Sequence, residues 1–325
     1  MRVLIVRLSS LGDVVHAAPV LVDIGRALPE ARIDWVVEEA FAPLVGCFAG
    51  VDRVVPMALR RWRKSLVGSR AEMGDFWGAL REREYDSVID LQGLVKSAVV
   101  TRSARIATGG KRFGLGNRTD GAAYEPLAKF AYDDAVAMPA RIHVVDRSRR
   151  LAAAALGYLV DTPPQVPWQV PAAAVEDAAW ADGRGVLLAH GSAKVVKLLP
   201  AAFWIALGTS LVAGGARVLL PWGTGDERER AVEIAAGIGE GARVVDRLPL
   251  GRLTAAIARL HGCIGLDTGI THVAATLGLP TVQLFIEDKA WRAAAYWEPK
   301  TAVLQASESA LPTVAQTMAA WRSVA

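Results

Sequence analysis

Residues 264–280 read I-G-L-D-T-G-I-T-H-V-A-A-T-L-G-L-P, and this stretch sets the fold class. Cys263 to Leu266 is a short apolar run of strand length. Asp267-Thr268-Gly269 is a polar turn whose glycine permits tight backbone. Ile270 to Leu277 reads as a helix closed by Gly278 and Pro280. A strand-turn-helix of this kind points free backbone N–H groups and the positive end of the helix dipole above the turn, a place for phosphate. Thr268 and Thr271 add hydroxyl donors. Two roles stay open for Asp267: it caps the helix, or it belongs to the anion-binding loop.

The same alternation extends outward in both directions. Upstream, strands are expected at Val186 to Ala189, Arg217 to Leu220 and Arg243 to Val245, with helices at Ala201 to Val212, Asp226 to Ala236 and Arg252 to Leu260. Thr281 to Phe285 follows as a strand, and Leu311 to Arg322 as a terminal helix. In the first half, Val3 to Val6 is an all-apolar strand of the kind buried on both faces of a parallel sheet. The turn Ser9-Ser10-Leu11-Gly12-Asp13 comes next, then a helix from Val14 to Leu28. Strands follow at Ile33 to Val37, Arg53 to Val55 and Ser87 to Asp90, and helices at Phe41 to Phe48, Met73 to Arg83 and Val95 to Arg105. Residues 161–171 hold four prolines, a stiff extended connection. The expected organisation is therefore α/β, with two Rossmann-like domains facing a central cleft, residues 1–165 and 166–310. A helix at 311–325 is free to pack back on the N-terminal domain. Ligands of such sheets sit outside the carboxyl ends of the strands.

Composition is that of a globular chain, 52% hydrophobic and 22% charged. The two cysteines, Cys47 and Cys263, supply no disulfide framework, so a reduced, cytoplasmic setting is expected. The longest uncharged run, 198–216, contains Pro200 and three glycines and reads as a buried helix and turn, not a membrane span. Residues 1–165 hold 23 Lys/Arg against 19 Asp/Glu, so the whole net charge of +4 lies in that half. Six basic residues separate Asp52 from Glu72, and six more separate Asp90 from Asp120, with no acid in either window. That pattern points to an anionic partner.

Several chemistries are excluded. Gly223-Thr-Gly225 follows a strand and opens a helix, but Arg228 stands where a dinucleotide fingerprint needs its third glycine. No P-loop and no D-x-D triplet occurs. His16, His143, His190, His261 and His272 lack metal-ligand spacing, so no metal is expected.

Several segments together resemble the glycosyltransferase family 9 heptosyltransferases. They are V-L-I-V-R-L-S-S-L-G-D-V-V-H-A-A-P (3–19), I-D-W-V-V-E-E-A-F-A (33–42), R-R-W-R-K (60–64) and D-L-Q-G-L-V-K-S-A (90–98). E-P-L-A (125–128), A-L-G-Y (155–158), L-P-W-G (220–223) and L-D-T-G-I-T-H (266–272) continue the match in the same order. The resemblance implies a GT-B architecture and inverting transfer of heptose from ADP-L-glycero-β-D-manno-heptose to the inner Kdo of Kdo2-lipid A. It implies no cofactor, no nucleic acid, and a peripheral place at the inner face of the inner membrane. Asp13 is then the general base, though the same position suits a helix cap. Ser9, Ser10 and Gly12 shape its loop. Arg60, Arg61, Arg63 and Lys64 form the acceptor clamp, since arginine forks suit carboxylates and phosphates. Lys197, Glu227, Asp267, Thr268, Gly269 and His272 form the donor site. Two donor segments depart from the family pattern: Val196-Lys197-Leu198-Leu199-Pro200, where Asp-Lys-x-Trp-Pro is usual, and Phe285-Ile-Glu-Asp-Lys-Ala290. A heptosyltransferase II, another nucleotide-sugar transferase, or a non-catalytic nucleotide-sugar binder remain as alternatives. The binder would keep Asp267-Thr268-Gly269 without needing Asp13.

Overall fold

The structure is a computed structural model that describes residues 1–65, 68–170, 183–307 and 310–325. Pro171, the last proline of the expected connection, lies outside the described residues. The chain divides into two compact units, Met1–Gln169 and Val170–Ala325.

Unit 1 runs β1 (Arg2–Val6), α1 (Leu11–Ala17), α2 (Pro19–Ala27), β2 (Arg32–Glu38), α3 (Ala42–Val45), β3 (Arg53–Met57), α4 (Leu59–Trp62), α5 (Arg70–Arg81), β4 (Glu84–Asp90), α6 (Val95–Ser103), β5 (Arg105–Leu115), β6 (Asp134–Val136) and α7 (Val144–Leu156). Its strands are all parallel, in the order β3-β2-β1-β4-β5-β6. This is the doubly wound arrangement, in which the chain reverses its direction of growth between β1 and β4 and opens a crevice there. Val3 to Val6 are fully buried, as an all-apolar strand covered on both faces must be.

Unit 2 repeats the plan: β7 (Gly185–Ala189), α8 (Ala201–Ala213), β8 (Arg217–Leu220), α9 (Gly225–Ile238), β9 (Ala242–Val244), α10 (Leu250–Ile257), β10 (Gly262–Leu266), α11 (Gly269–Thr276), β11 (Thr281–Phe285), α12 (Ala290–Ala293), β12 (Thr301–Gln305) and α13 (Val314–Val324). The order β12-β11-β10-β7-β8-β9 is the same winding, with its switch point between β7 and β10. The core is built from Val186, Leu188, Trp204, Leu207, Ile264, Leu266, Val282 and Leu284.

Two departures from expectation have simple causes. The helix read from Val14 to Leu28 is two helices, because Pro19 has no N–H to give the preceding turn; it instead starts α2, where that donor is not needed. Strands β5 and β12 escape the pattern because each is only half-buried and lacks an unbroken apolar run. The terminal helix closes unit 2's own core. Trp321 is 7% exposed and joins the β7–β10 cluster. It packs where a Cβ on Gly262 would stand 2.5 Å from its ring, so only glycine fits there. The proline-rich connection is likewise bound along unit 1: Ala49 N donates to Pro167 O, Gln169 N donates to Cys47 O, and Trp168 stacks on Phe48 at 4.9 Å.

Candidate functional site

Each sheet carries charged side chains on the loops at the carboxyl ends of its strands. In unit 1 these loops follow β1 and β4. Arg7, just past β1, is 4% exposed; its Nη1 donates to Leu91 O at 2.6 Å and its Nη2 meets Asp13 Oδ1 at 2.7 Å. Asp13 sits in the first turn of α1, where Oδ2 accepts from Ser10 N at 3.0 Å and Ser10 Oγ at 2.8 Å. Asp13 therefore does close the capping box at the start of α1. The contact to a buried guanidinium is additional, and a cap has no need of it. Burial pushes the Asp13 carboxyl up, but Arg7 and the two Ser10 bonds outweigh it and hold the group well below the usual carboxylate range. Asp13 is thus a fixed anion, about a quarter exposed.

The other carboxylates at this edge are committed elsewhere. Asp90 is fully buried and accepts from Gln92 N, Gly93 N, Ser97 Oγ and Tyr132 OH. Glu38 accepts from Arg60 N at 3.0 Å and anchors α4. Ser9 Oγ receives Lys96 Nζ at 2.9 Å and Gln92 Nε2 at 3.4 Å, which ties the Asp13 loop to the start of α6. Burial lowers the Lys96 pKa; Glu38 opposes this, and Arg60, Arg63 and Arg7 add to it, so these charges lie within electrostatic reach of Lys96.

The basic segment separates by role. Trp62 points inward, while Arg60, Arg61, Arg63 and Lys64 are exposed. Arg60 lies over the Phe41 ring at 5.3 Å. Arg61 is already engaged: its Nε and Nη2 meet Glu39 at 3.1 and 3.0 Å, and its Nη1 meets Glu72. Neutralising Arg60 and Arg63 together is expected to raise the KM for an anionic acceptor several-fold. Arg61→Ala should move it far less, since that fork is filled. Steady-state kinetics on the variants reads the difference.

A second expectation concerns Arg7. Arg7→Met removes the main cause that holds Asp13 low, so the carboxyl rises toward its ordinary value of about 3.9. The acid limb of kcat/KM then moves to higher pH. The stability that the ionised Asp13 lends is present above the unfolded value and lost as pH falls through the depressed folded one, so raising the folded value shrinks it and the variant has less to lose on acidification. pH–rate and pH–melting profiles check both.

In unit 2 the loops follow β7, β8, β10 and β11. The N-cap of α11 is Thr268, and no side chain caps it. Asp267 does not cap; instead its Oδ1 meets His272 Nε2 at 3.1 Å and its Oδ2 meets Lys197 Nζ. Among the described residues the first turn of α11 thus has no side-chain cap. Gln283 sets the histidine: its Oε1 accepts from Ala295 N, so its Nε2 faces His272 Nδ1 at 3.1 Å, and the His272 proton lies on Nε2, toward Asp267. Burial pushes Asp267 up, but His272 and Lys197 override it and hold the carboxyl well below the usual range. Lys197 and Asp267 are 12% and 15% exposed. Thr268 Oγ1 and Thr271 Oγ1 lie 3.3 Å apart, and Gly269 opens the helix between them. Glu227 lies against Gly191 and closes the capping box of α9, accepting from Thr224 N at 3.3 Å, and it also accepts from Gly223 N at 2.7 Å.

Pattern reasoning missed Arg7, Gln92 and Lys96 in unit 1, and Lys194, Gln283, Glu287 and Lys289 in unit 2. Glu287 Oε1 bonds Lys289 at 2.6 Å and Oε2 lies 3.6 Å from Lys197. Lys289, then Lys197 and Lys194, hold its carboxyl below the usual range. The atypical 285–290 loop was the one signal that could have pointed to this cluster. Among the described residues no group of three or more His, Cys, Asp or Glu is placed to hold a metal, and no helix is long and apolar enough to cross a membrane.

Two doubly wound parallel units, each with a charged cluster at its switch point, make this a GT-B glycosyltransferase. The chain belongs to glycosyltransferase family 9 (heptosyltransferase), whose model matches residues 73–321. It is 41% identical over 291 residues to a lipopolysaccharide heptosyltransferase 1 of Pseudomonas aeruginosa, covering 88% of this chain and 78% of that one. Among solved structures, the Escherichia coli heptosyltransferase WaaC with ADP superposes over the full length of both chains with a TM-score of 0.86 and 33% identity. The same E. coli enzyme with ADP-2-deoxy-2-fluoro heptose gives 0.82, again at 33% identity and full coverage.

Proposed function

We propose that the protein moves L-glycero-D-manno-heptose from ADP-L-glycero-β-D-manno-heptose to the inner Kdo of Kdo2-lipid A, with inversion, at the inner face of the inner membrane. The observation that carries this is the Lys197–Asp267–His272 cluster beside the uncapped start of α11, in a chain similar throughout to a heptosyltransferase solved with ADP. In this reading the diphosphate of the donor sits on the α11 amides, and Lys197 takes the charge that develops as ADP leaves. Asp267 and His272 hold sugar hydroxyls, and Glu227 the ribose. The Kdo hydroxyl oxygen bonds to the anomeric carbon from the face opposite ADP, the carbon–phosphate oxygen bond breaks, and Asp13 takes the hydroxyl proton. Arg60, Arg63, Lys64 and Lys96 receive the carboxylates and phosphates of the acceptor. Purified protein incubated with ADP-heptose and Kdo2-lipid A is expected to yield lipid heavier by one heptose on mass spectrometry. An unchanged lipid with the donor intact would overturn the assignment.

A further inference from the structure

Unit 1 carries an apolar surface that the site above does not use. Residues Pro126–Ala131 form a 3-10 turn, in which side chains three apart eclipse one another. Ala128 and Ala131 face inward, where they pack with Ala98 of α6 and Tyr132. Leu127 and Phe130 therefore form the opposite ridge, 69% and 85% exposed. On α6, Val95, Val99 and Arg102 recur at helical spacing on the exposed face. The two elements are tied at their starts, where Val95 N donates to Glu125 Oε2 at 2.5 Å. Four large apolar side chains thus stand in water on two adjacent elements, where a folded chain gains nothing by leaving them.

The surrounding charge favours one kind of partner. Arg102 and Lys129 flank the ridges, are exposed, and pair with no carboxylate among the described residues. The nearby acids are taken: Glu125 by the Val95 amide, Asp133 by Arg112 and Asp134 by Lys111. Apolar wedges flanked by uncompensated cations suit the headgroup boundary of an anionic bilayer. The position fits as well. Lys96, next to Val95, turns inward to Ser9 Oγ, so the apolar face begins one residue from the Asp13 loop.

We propose that α6 and the 126–131 turn seat unit 1 on an anionic lipid bilayer, with Leu127 and Phe130 entering the acyl boundary. The assignment rests on the lipid-anchored acceptor proposed above, and it brings the Asp13 loop to the surface from which that acceptor projects. The test is flotation of the full-length protein with phosphatidylglycerol/phosphatidylcholine vesicles and with phosphatidylcholine alone. Wild type should float with the anionic vesicles, less with neutral ones, and less as salt rises. The Leu127→Ser, Phe130→Ser double variant should partition about 10–100-fold more weakly, as expected for withdrawing two large apolar side chains. Arg102→Gln with Lys129→Gln should remove the anionic preference and the salt dependence. Melting temperature and heptose transfer to a detergent-dispersed acceptor should stay at wild-type values in both variants. The proposal is overturned if wild type does not float, or if the Leu127/Phe130 variant floats equally well. It is also overturned if light scattering shows a wild-type dimer that this variant dissolves, which would make the face a seat for a second copy. Normal flotation without any transfer in detergent would support the seat and count against the function.

Discussion

Asp13→Asn is expected to lower kcat by roughly 10²–10⁴-fold, the usual worth of a positioned base, while both KM values change little. Asparagine keeps the size and can still accept from Ser10, but it cannot take a proton at neutral pH. The geometry adds a cost beyond catalysis. Arg7 Nη2 now meets Asp13 Oδ1 at 2.7 Å, and an amide either offers it a neutral oxygen or turns an NH2 toward it. A buried guanidinium left with a poorer partner costs roughly 1–3 kcal/mol, so the melting temperature should fall as well. Ser10→Ala separates the two roles. It removes one of the cap bonds, which is worth roughly 0.5–2 kcal/mol of stability, and leaves the carboxylate and Arg7 in place. If Asp13 matters as a base, Ser10→Ala lowers the melting temperature with far less loss of kcat than Asp13→Asn. If the two variants lose kcat in proportion to stability, Asp13 is a cap and the base lies elsewhere. Asp90 and Glu38 are then poor substitutes, one enclosed by four donors and the other holding the start of α4.

Lys197→Ala should weaken ADP binding about 10–100-fold, from the loss of a charge-assisted contact of roughly 1.5–3 kcal/mol. Lys197 does more than add a second positive charge to a loop that already carries Lys194. It lies between Asp267 and Glu287, so its removal leaves two carboxylates facing the position proposed for the diphosphate. Calorimetry with ADP alone measures the loss without any contribution from the acceptor. The same variant carries a pH signature. Without Lys197 the Asp267 carboxyl loses one of the two partners that hold it low, so it rises toward its ordinary range against the remaining pull of His272. The stability contributed by ionised Asp267 is present above its unfolded value of about 3.9 and is lost as pH falls through the folded value. As the folded value rises toward the unfolded one this contribution shrinks, so the variant is less stable at neutral pH and its melting temperature falls less than that of wild type as pH drops below about 5, which melting curves between about pH 3 and 7 read. Unchanged ADP affinity together with normal turnover would remove Lys197 from the donor site.

The alternation of apolar runs, turns and helices was enough to place two parallel α/β units and the loops at their carboxyl edges. Those features are local: a buried parallel strand must be apolar along its length, and a turn into a helix needs glycine or a short polar residue within a few positions. Asp267 could be singled out for the same reason, since it stands in such a loop, whereas Asp13 and Lys197 were named from the resemblance to the family at matching positions. What those residues do depended on contacts that no local pattern encodes. Asp267 read equally well as a cap until the fold set it between Lys197, 70 residues earlier, and His272. Arg61 was indistinguishable from Arg60 and Arg63 until Glu39 and Glu72 closed on it. Arg7 looked like the end of a strand until the β1–β4 neighbourhood put Leu91 and Asp13 on either side of it. Burial and charge pairing act through space, over a few ångströms, and chain separation carries almost no information about them. The sequence by itself therefore determined the architecture and the strand edge proposed to carry the site, and only the tertiary structure decided which charges there are paired with one another.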